Sequence, residues 1–219
     1  MSSQRRKGHR EEVVTAPYSL ISRTLKEGDE VKVVPKEKLY AKEKKIPLEQ
    51  SKQYILKEYD KIGKDRKEWY DIDWWFKQFQ LKENWQNLLN NYRHTIQLFP
   101  ETVETLSKLS KKYELIIISN SKREFIDVQL EETGLRPYFT HIFSSTSDFD
   151  KVKKLPEIYK NVCDSLNIQP YEMLHVGDDK EFDFESPKKI GIKSFYLDRE
   201  KTEEGDHTIR KLSDLEKVL

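Results

Sequence analysis

After Pro100 the chain settles into a repeat in which short apolar runs alternate with stretches of helical periodicity, and this repeat constrains the fold more than any other feature. Glu101 to Lys111 reads as a helix with Val103, Leu106 and Leu109 on one face, spacings that share a helical stripe. Leu115-Ile116-Ile117-Ile118 comes next, a continuous apolar run of the kind a buried parallel strand shows. The pattern then predicts a helix from Lys122 to Glu132 stopped by Gly134, a strand at His141-Ile142-Phe143, a helix from Leu155 to Leu166 and a strand at Met173-Leu174-His175-Val176. A fourth strand, Ser194-Phe195-Tyr196-Leu197, comes after a helix ending between Lys188 and Gly191. Such alternation requires right-handed crossovers, so the expected class is α/β, a Rossmann-like parallel sheet flanked by helices. Ligands of these sheets bind where the carboxyl ends of the strands open.

The texture before Pro100 is different. From Asp29 to Thr95 the pattern is helical and strongly charged, with Tyr54, Ile55, Tyr59 and Ile62 sharing a face. Trp69, Trp74, Trp75, Phe76, Phe79 and Trp85 crowd the same region, either as the core of a small bundle or as an aromatic wall over a pocket. The first segment carries a basic run with Arg5, Arg6, Lys7 and Arg10, which reads as a solvated terminus. A stretch from Val13 to Leu25 can hold one strand. The boundaries expected from these textures are a tail with the first core strand at 1–28, a helical unit at 29–95 and an α/β core at 96–219.

Composition narrows the partners. Forty basic against 39 acidic residues leave a formal charge of +1, so no global field draws the chain to nucleic acid or to an anionic membrane. Cys163 is the single cysteine, which excludes an internal disulfide and any multi-cysteine metal site. No apolar run approaches the roughly 18 residues of a membrane span, and the first residues lack the apolar segment of a secretory signal. The expectation is a cytoplasmic protein with a small-molecule partner, neither nucleic acid nor membrane, and of undetermined oligomeric state.

The polar residues directly after each apolar run should arrive at one edge of the sheet. Ser119 and Asn120 come after Ile118, Ser144 and Ser145 after Phe143, and Gly177, Asp178 and Asp179 after Val176, with Asp183 a turn later. Lys153 and Lys154 precede Pro156 at a helix start. A hydroxyl and backbone amides can hold phosphoryl oxygens, a lysine can neutralise their charge, and clustered carboxylates suit Mg²⁺. Taken singly, each has an ordinary structural explanation as a helix cap, a turn or a solvated charge.

In this order, however, they resemble the haloacid dehalogenase (HAD) superfamily, in its subgroup with a helical cap inserted after the first core strand. Leu98-Phe99-Pro100-Glu101-Thr102-Val103 is similar to that family's return from cap to core. Leu115 to Asn120 resembles its second motif, which implies that Ser119 is the phosphoryl-binding hydroxyl, with Asn120 beside it. Lys153-Lys154-Leu155-Pro156-Glu157-Ile158-Tyr159 resembles the third motif, and counting back from Pro156 favours Lys153 over Lys154 as the functional lysine. His175-Val176-Gly177-Asp178-Asp179-Lys180-Glu181-Phe182-Asp183 matches the fourth motif, placing Asp178 and Asp183 in its metal-binding acidic positions. That acidic pair favours the Mg²⁺-dependent phosphatases over the metal-free dehalogenases. The resemblance implies attack on phosphorus by an aspartate and hydrolysis of the resulting aspartyl-phosphate, with Mg²⁺ and lysine screening the charge.

The family's first motif, which carries that aspartate, is missing. Its only fitting place, Pro17-Tyr18-Ser19-Leu20-Ile21-Ser22-Arg23-Thr24-Leu25, contains no carboxylate. One way to align it lets Leu20-Ile21-Ser22 end the strand and Arg23-Thr24-Leu25 resume the pattern. Asp71-Ile72-Asp73 comes after a charged stretch and precedes Trp74, so it reads as a solvated or helix-capping pair. Two readings stay open: a Mg²⁺-dependent phosphatase of a small phosphorylated metabolite with impaired turnover, or an inactive relative that binds metal and a phosphorylated ligand, or a protein partner.

Overall fold

The computed structural model describes residues 13–16, 35–63, 66–202 and 204–219. The basic run and the whole of Pro17 to Leu25 lie outside the described residues.

The sheet has six parallel strands in the order β3-β2-β1-β4-β5-β6. They are β1 (Val13–Ala16), β2 (Glu114–Ser119), β3 (His141–Ser144), β4 (Met173–Gly177), β5 (Lys193–Leu197) and β6 (Thr208–Ile209). The α/β class and the four strands after Pro100 are as the apolar runs predict. β1 lies between β2 and β4, so Ile117 and Val176 are two strands apart. Its register sets Val13 opposite both Glu114 and Met173, and Ala16 opposite Ile117.

Alternation along the strands divides the interior in two. Leu115, Ile117, Leu174, Val176, Phe195 and Leu197 point to one face. There they meet α6 (Thr102–Leu109), α7 (Arg123–Thr133) and the 3₁₀ segment Leu212–Lys217. On the opposite face Ile116, Ile118 and Met173 pack on Ile158, Tyr159, Val162 and Cys163 of α9 (Pro156–Leu166). α7 stops at Gly134, whose φ of 67° is the left-handed geometry a C-terminal glycine supplies at little cost. A short α8 (Ser145–Asp148) comes after β3, and α10 (Ser186–Lys188) precedes β5.

On α6 the structure corrects the expected face. Val103 is 45% exposed, whereas Thr102, Thr105, Leu106 and Leu109 are buried. The stripe of positions 102, 105, 106 and 109 obeys helical geometry, and two threonines inside it disguised its phase. β6 and the 3₁₀ segment were not anticipated, because a two-residue strand carries no periodicity; Ile209, Leu212 and Leu215 nonetheless complete the core.

Between β1 and β2 the chain forms α1 (Pro35–Lys44), α2 (Leu48–Ile62), α3 (Lys67–Tyr70), α4 (Ile72–Gln78) and α5 (Trp85–Tyr92). The aromatics gather in two clusters, one around Ile55, Trp75 and Phe79 and one around Leu39, Phe76 and Trp85. Phe125 of α7 joins the second, its ring stacked on Trp85 at 5.6 Å between centroids, which fastens the helical insert to the sheet domain. Among the described residues no helix is long and apolar enough to cross a membrane.

Leu106→Ala should lower unfolding free energy by about 2–5 kcal/mol, and Val103→Ala by at most about 0.5 kcal/mol. Chemical denaturation of the two variants checks the phase of α6, and equal losses would contradict it.

Candidate active site

At the carboxyl end of β2 the chain turns sharply, and two serines fix the turn. Ser119, fully buried, accepts the backbone N–H of Ser121 on its Oγ at 3.1 Å. Ser144, level with Ser119 on β3, donates its hydroxyl to the carbonyl of Ser121 at 2.7 Å and accepts from Ser147 N–H at 3.0 Å. Because the Ser119 oxygen accepts a hydrogen bond from the backbone, its own hydroxyl hydrogen is left to donate elsewhere. The Oδ1 of Asn120 is buried without a protein partner, a cost that an incoming polar group would remove.

A second set of groups meets at the end of β4. Met173 and His175 point to the α9 face, where the His175 ring lies 4.9 Å from that of Tyr159. Asp183 returns from a single wide π-type turn at Lys180–Glu185 and lays its carboxylate against the α-carbon of Gly177. A Cβ there would lie 2.2 Å from Asp183 Cγ, so only glycine leaves room. Oδ1 of Asp183 bonds the ammonium of Lys154 and sits 2.9 Å from Nε2 of His175. Oδ2 accepts the backbone N–H of Asp179 at 3.2 Å. Tyr159 donates its hydroxyl to the Phe182 carbonyl at 2.6 Å and lies 3.0 Å from the same Nε2.

Electrostatics assigns the protons. Burial alone would raise the Asp183 pKa, but Lys154 and His175 facing it hold the carboxyl well below the usual range, so it is ionised. Burial pushes the His175 pKa down, and its bond to Asp183 only partly opposes this. The imidazole is therefore neutral, with the proton on Nε2 directed at Asp183. Burial, reinforced by Asp183, raises the Tyr159 hydroxyl well above its ordinary value and keeps it a donor.

The lysine that reaches Asp183 is Lys154, 4% exposed, whereas counting from Pro156 favoured Lys153 as the functional lysine. Lys153 instead places its ammonium 5.1 Å from the ring centre of Phe182. Asp178, directly after β4, is exposed, and Asp179 caps its own turn by accepting from Phe182 N–H at 2.8 Å. This arrangement supplies a poor Mg²⁺ site. Both Asp183 oxygens are engaged by protein groups, and no group of three or more acidic, histidine or cysteine side chains suited to a metal occurs among the described residues. Such an ion needs several hard oxygen ligands, and of the expected pair only Asp178 presents a carboxylate to solvent.

Ser119 and Asp178 leave the sheet on either side of β1, two strand spacings or roughly 10 Å apart. Ala16, opposite Ile117, stops two residues short of the level of Ser119. The next positions are Pro17 and Tyr18, outside the described residues and not carboxylates.

The helical insert touches this edge through Lys122, three residues beyond Ser119. Its ammonium bonds Asp71 Oδ1 at 2.8 Å and Asp73 Oδ2 at 3.1 Å. Asp71 also caps α4 by accepting from the Asp73 and Trp74 N–H groups. A cavity of about 100 Å³ opens here, lined by Lys67, Tyr70 and Asp71 of the insert and by Lys122, Thr146 and Lys151 among the sheet-domain residues. Sequence reasoning missed Tyr159, His175 and Lys122, the first two because they read as core residues of a helix and a strand. A histidine inside an apolar strand run was the one available signal.

A parallel sheet with a helical insert after its first strand, and these groups on its carboxyl edge, describes a hydrolase fold, and the chain belongs to the haloacid dehalogenase-like hydrolase family, whose pattern matches residues 17–197. It is 29% identical over 115 residues to the 5-amino-6-(5-phospho-D-ribitylamino)uracil phosphatase of Escherichia coli, covering 52% of this chain and 44% of that one. The phosphoglycolate phosphatase of Synechococcus elongatus is 27% identical over 118 residues, 53% of each chain. The match thus spans about half the length of these relatives. A HAD phosphatase from Thermococcus onnurineus superposes with a TM-score of 0.78 over 95% of this chain and 97% of that one at 24% identity, a likeness of fold.

Gly177→Ala should cost about 1–3 kcal/mol by displacing Asp183, read as a lower melting temperature. Since the folded-state pKa of His175 is depressed from 6.5, the unfolded chain takes up a proton there first as pH falls. Its contribution to stability is therefore complete above that value and shrinks below it. Between about pH 7 and about pH 5, stability should drop more steeply in the unaltered protein than in His175→Gln; parallel profiles from denaturation at each pH would refute the neutral imidazole.

Proposed function

We propose that this chain is a phosphatase-type hydrolase that binds a small phosphomonoester on the carboxyl edge of its sheet and turns it over slowly. The observation that carries this reading is the flanking of the β1 exit by a hydroxyl loop at Ser119 and a buried lysine at Lys154, beside the exposed Asp178. The Ser119 hydroxyl and the Asn120 amide take phosphoryl oxygens, the amide presenting its NH₂ by a flip that exchanges its two ends. Lys154 supplies positive charge; an ammonium has three donors, and Asp183 need not use them all. Asp178, exposed at the end of β4, is the carboxylate that a metal would meet, and Asp183 serves to hold the lysine. The two phosphatase relatives support the phosphoryl chemistry, although each is matched over only part of its length.

The residues after β1 account for slow turnover. The family reaction needs a carboxylate to attack phosphorus, and Pro17, Tyr18, Ser19 and Leu20 provide none. A serine hydroxyl there would need a base to activate it and would bring no negative charge to help hold a metal. The same absence supports the second reading, a binding protein that retains the phosphoryl site without catalysis. Loss of a covalent nucleophile commonly removes several powers of ten in rate.

The test is phosphate release from an aryl phosphate with Mg²⁺ present. The unaltered chain should stay near background, and an aspartate introduced at Pro17 or at Tyr18 should raise the rate in at least one variant. Asp178→Asn in each background controls for contaminating phosphatase. Robust turnover by the unaltered chain that Asp178→Asn abolishes would mean that another group attacks phosphorus.

A further inference from the structure

We propose that His175 and Tyr159 are positioning residues: acting through Asp183, they fix the ammonium of Lys154 at the phosphoryl site. This rests on the proposed phosphatase function and gives a role to two residues that lie, without one, at the ends of the third and fourth motif segments.

The geometry is that of a closed chain of donors. Lys154 has one carboxylate partner in Asp183, and that carboxylate has no freedom of its own. The α-carbon of Gly177 blocks it on one side, Asp179 N–H holds Oδ2, and His175 Nε2 holds Oδ1. His175 is fixed in turn by Tyr159, which lies 3.0 Å from Nε2, 3.5 Å from Asp183 Oδ1, and donates to the Phe182 carbonyl on the turn that carries Asp183. His175 and Tyr159 are fully inaccessible, Asp183 is 1% exposed and Lys154 4%. A buried set of this kind persists only if every member is satisfied. One ammonium and one carboxylate cancel, so the neutral imidazole completes the carboxylate without adding a third charge, while Tyr159 holds the turn that carries it through the Phe182 carbonyl. An apolar core would be served equally well by Phe and Leu at positions 159 and 175; the polar pair has no packing advantage over them. Its contribution is direction. With His175 and Tyr159 in place the carboxylate has one orientation, and the lysine one position at the end of β4, next to Asp178.

The test uses the full chain with Tyr159→Phe, His175→Leu and His175→Gln, the last retaining an N–H donor near the Nε2 position. Two readouts are taken after thermal melting has shown which variants fold. The first is the Lys154 ammonium resonance in proton–nitrogen NMR spectra, identified by its loss in Lys154→Met; a buried, held ammonium exchanges slowly enough to be seen. The second is binding of inorganic phosphate by calorimetry. Tyr159→Phe and His175→Leu should shift or broaden the ammonium signal, and His175→Leu should weaken phosphate binding about tenfold. His175→Gln should restore both. An ammonium signal unchanged in the folded Tyr159→Phe and His175→Leu variants, no restoration by Gln, or no such resonance in the unaltered protein would overturn the proposal. Should His175→Leu fail to fold, Tyr159→Phe against His175→Gln decides. If the unaltered protein binds no phosphate, the functional reading falls, while the ammonium signal still decides whether the two residues position Lys154.

Discussion

A four-residue strand joins the two halves of the sheet. β2 and β3 form one side, and β4, β5 and β6 the other; only β1 is bonded to both. Every cross-sheet relation in the molecule, including the placement of Ser119 opposite Asp178, depends on that double pairing. In parallel sheets the crevice at the carboxyl end is where ligands collect, and here the crevice is centred on the exit of β1. The strand that unites the fold therefore ends, at Ala16, between the two groups of residues that carry the site's polar side chains.

Around that exit the chain has arranged charge economically. A lysine, a carboxylate and a neutral imidazole share one small volume against a glycine, and the only net charges cancel. Burying ions is costly unless each is paired and hydrogen-bonded, and the cluster at Asp183 meets both conditions. The same completeness reduces its use to a metal: a carboxylate that already accepts bonds on both oxygens has little left for an ion. Asp178 differs from Asp183 in environment and not in residue type, the first exposed and the second buried.

Much of the fold was legible because buried parallel strands are apolar on both faces, so Leu115 to Ile118 and Met173 to Val176 stand out in a chain otherwise rich in charge. β1 was legible only as a strand somewhere between Val13 and Leu25, because a strand four residues long in a stretch without strong periodicity leaves no mark of its bounds. In the site, the order of Ser119, the lysine pair, Asp178 and Asp183 was readable, but which of Lys153 and Lys154 pairs with Asp183 was not. Adjacent side chains leave the backbone in different directions, and here the Leu155 N–H closes a tight turn on the Lys153 carbonyl at 2.9 Å. Which lysine that turn directs inward is a tertiary fact with no trace in residue spacing. The roles of His175 and Tyr159 were hidden for a related reason: each occupies a position whose pattern predicts only burial.

The bond from Lys122 to Asp71 and Asp73 has a consequence of another kind. It spans from the loop after Ser119 to the helical insert and is partly open to water. Exposed ion pairs weaken as the Debye length contracts from about 10 Å at 0.1 M salt to about 3 Å at 1 M. The stacked rings of Trp85 and Phe125 do not share that sensitivity. Among the described residues the insert is thus attached to the sheet domain by ion pairs that respond to ionic strength, those of Lys122 with Asp71 and Asp73, of Lys67 with Asp150 and of Arg93 with Glu131 and Glu132, and by stacked rings that do not, so dissolved salt loosens one part of the attachment and leaves the other.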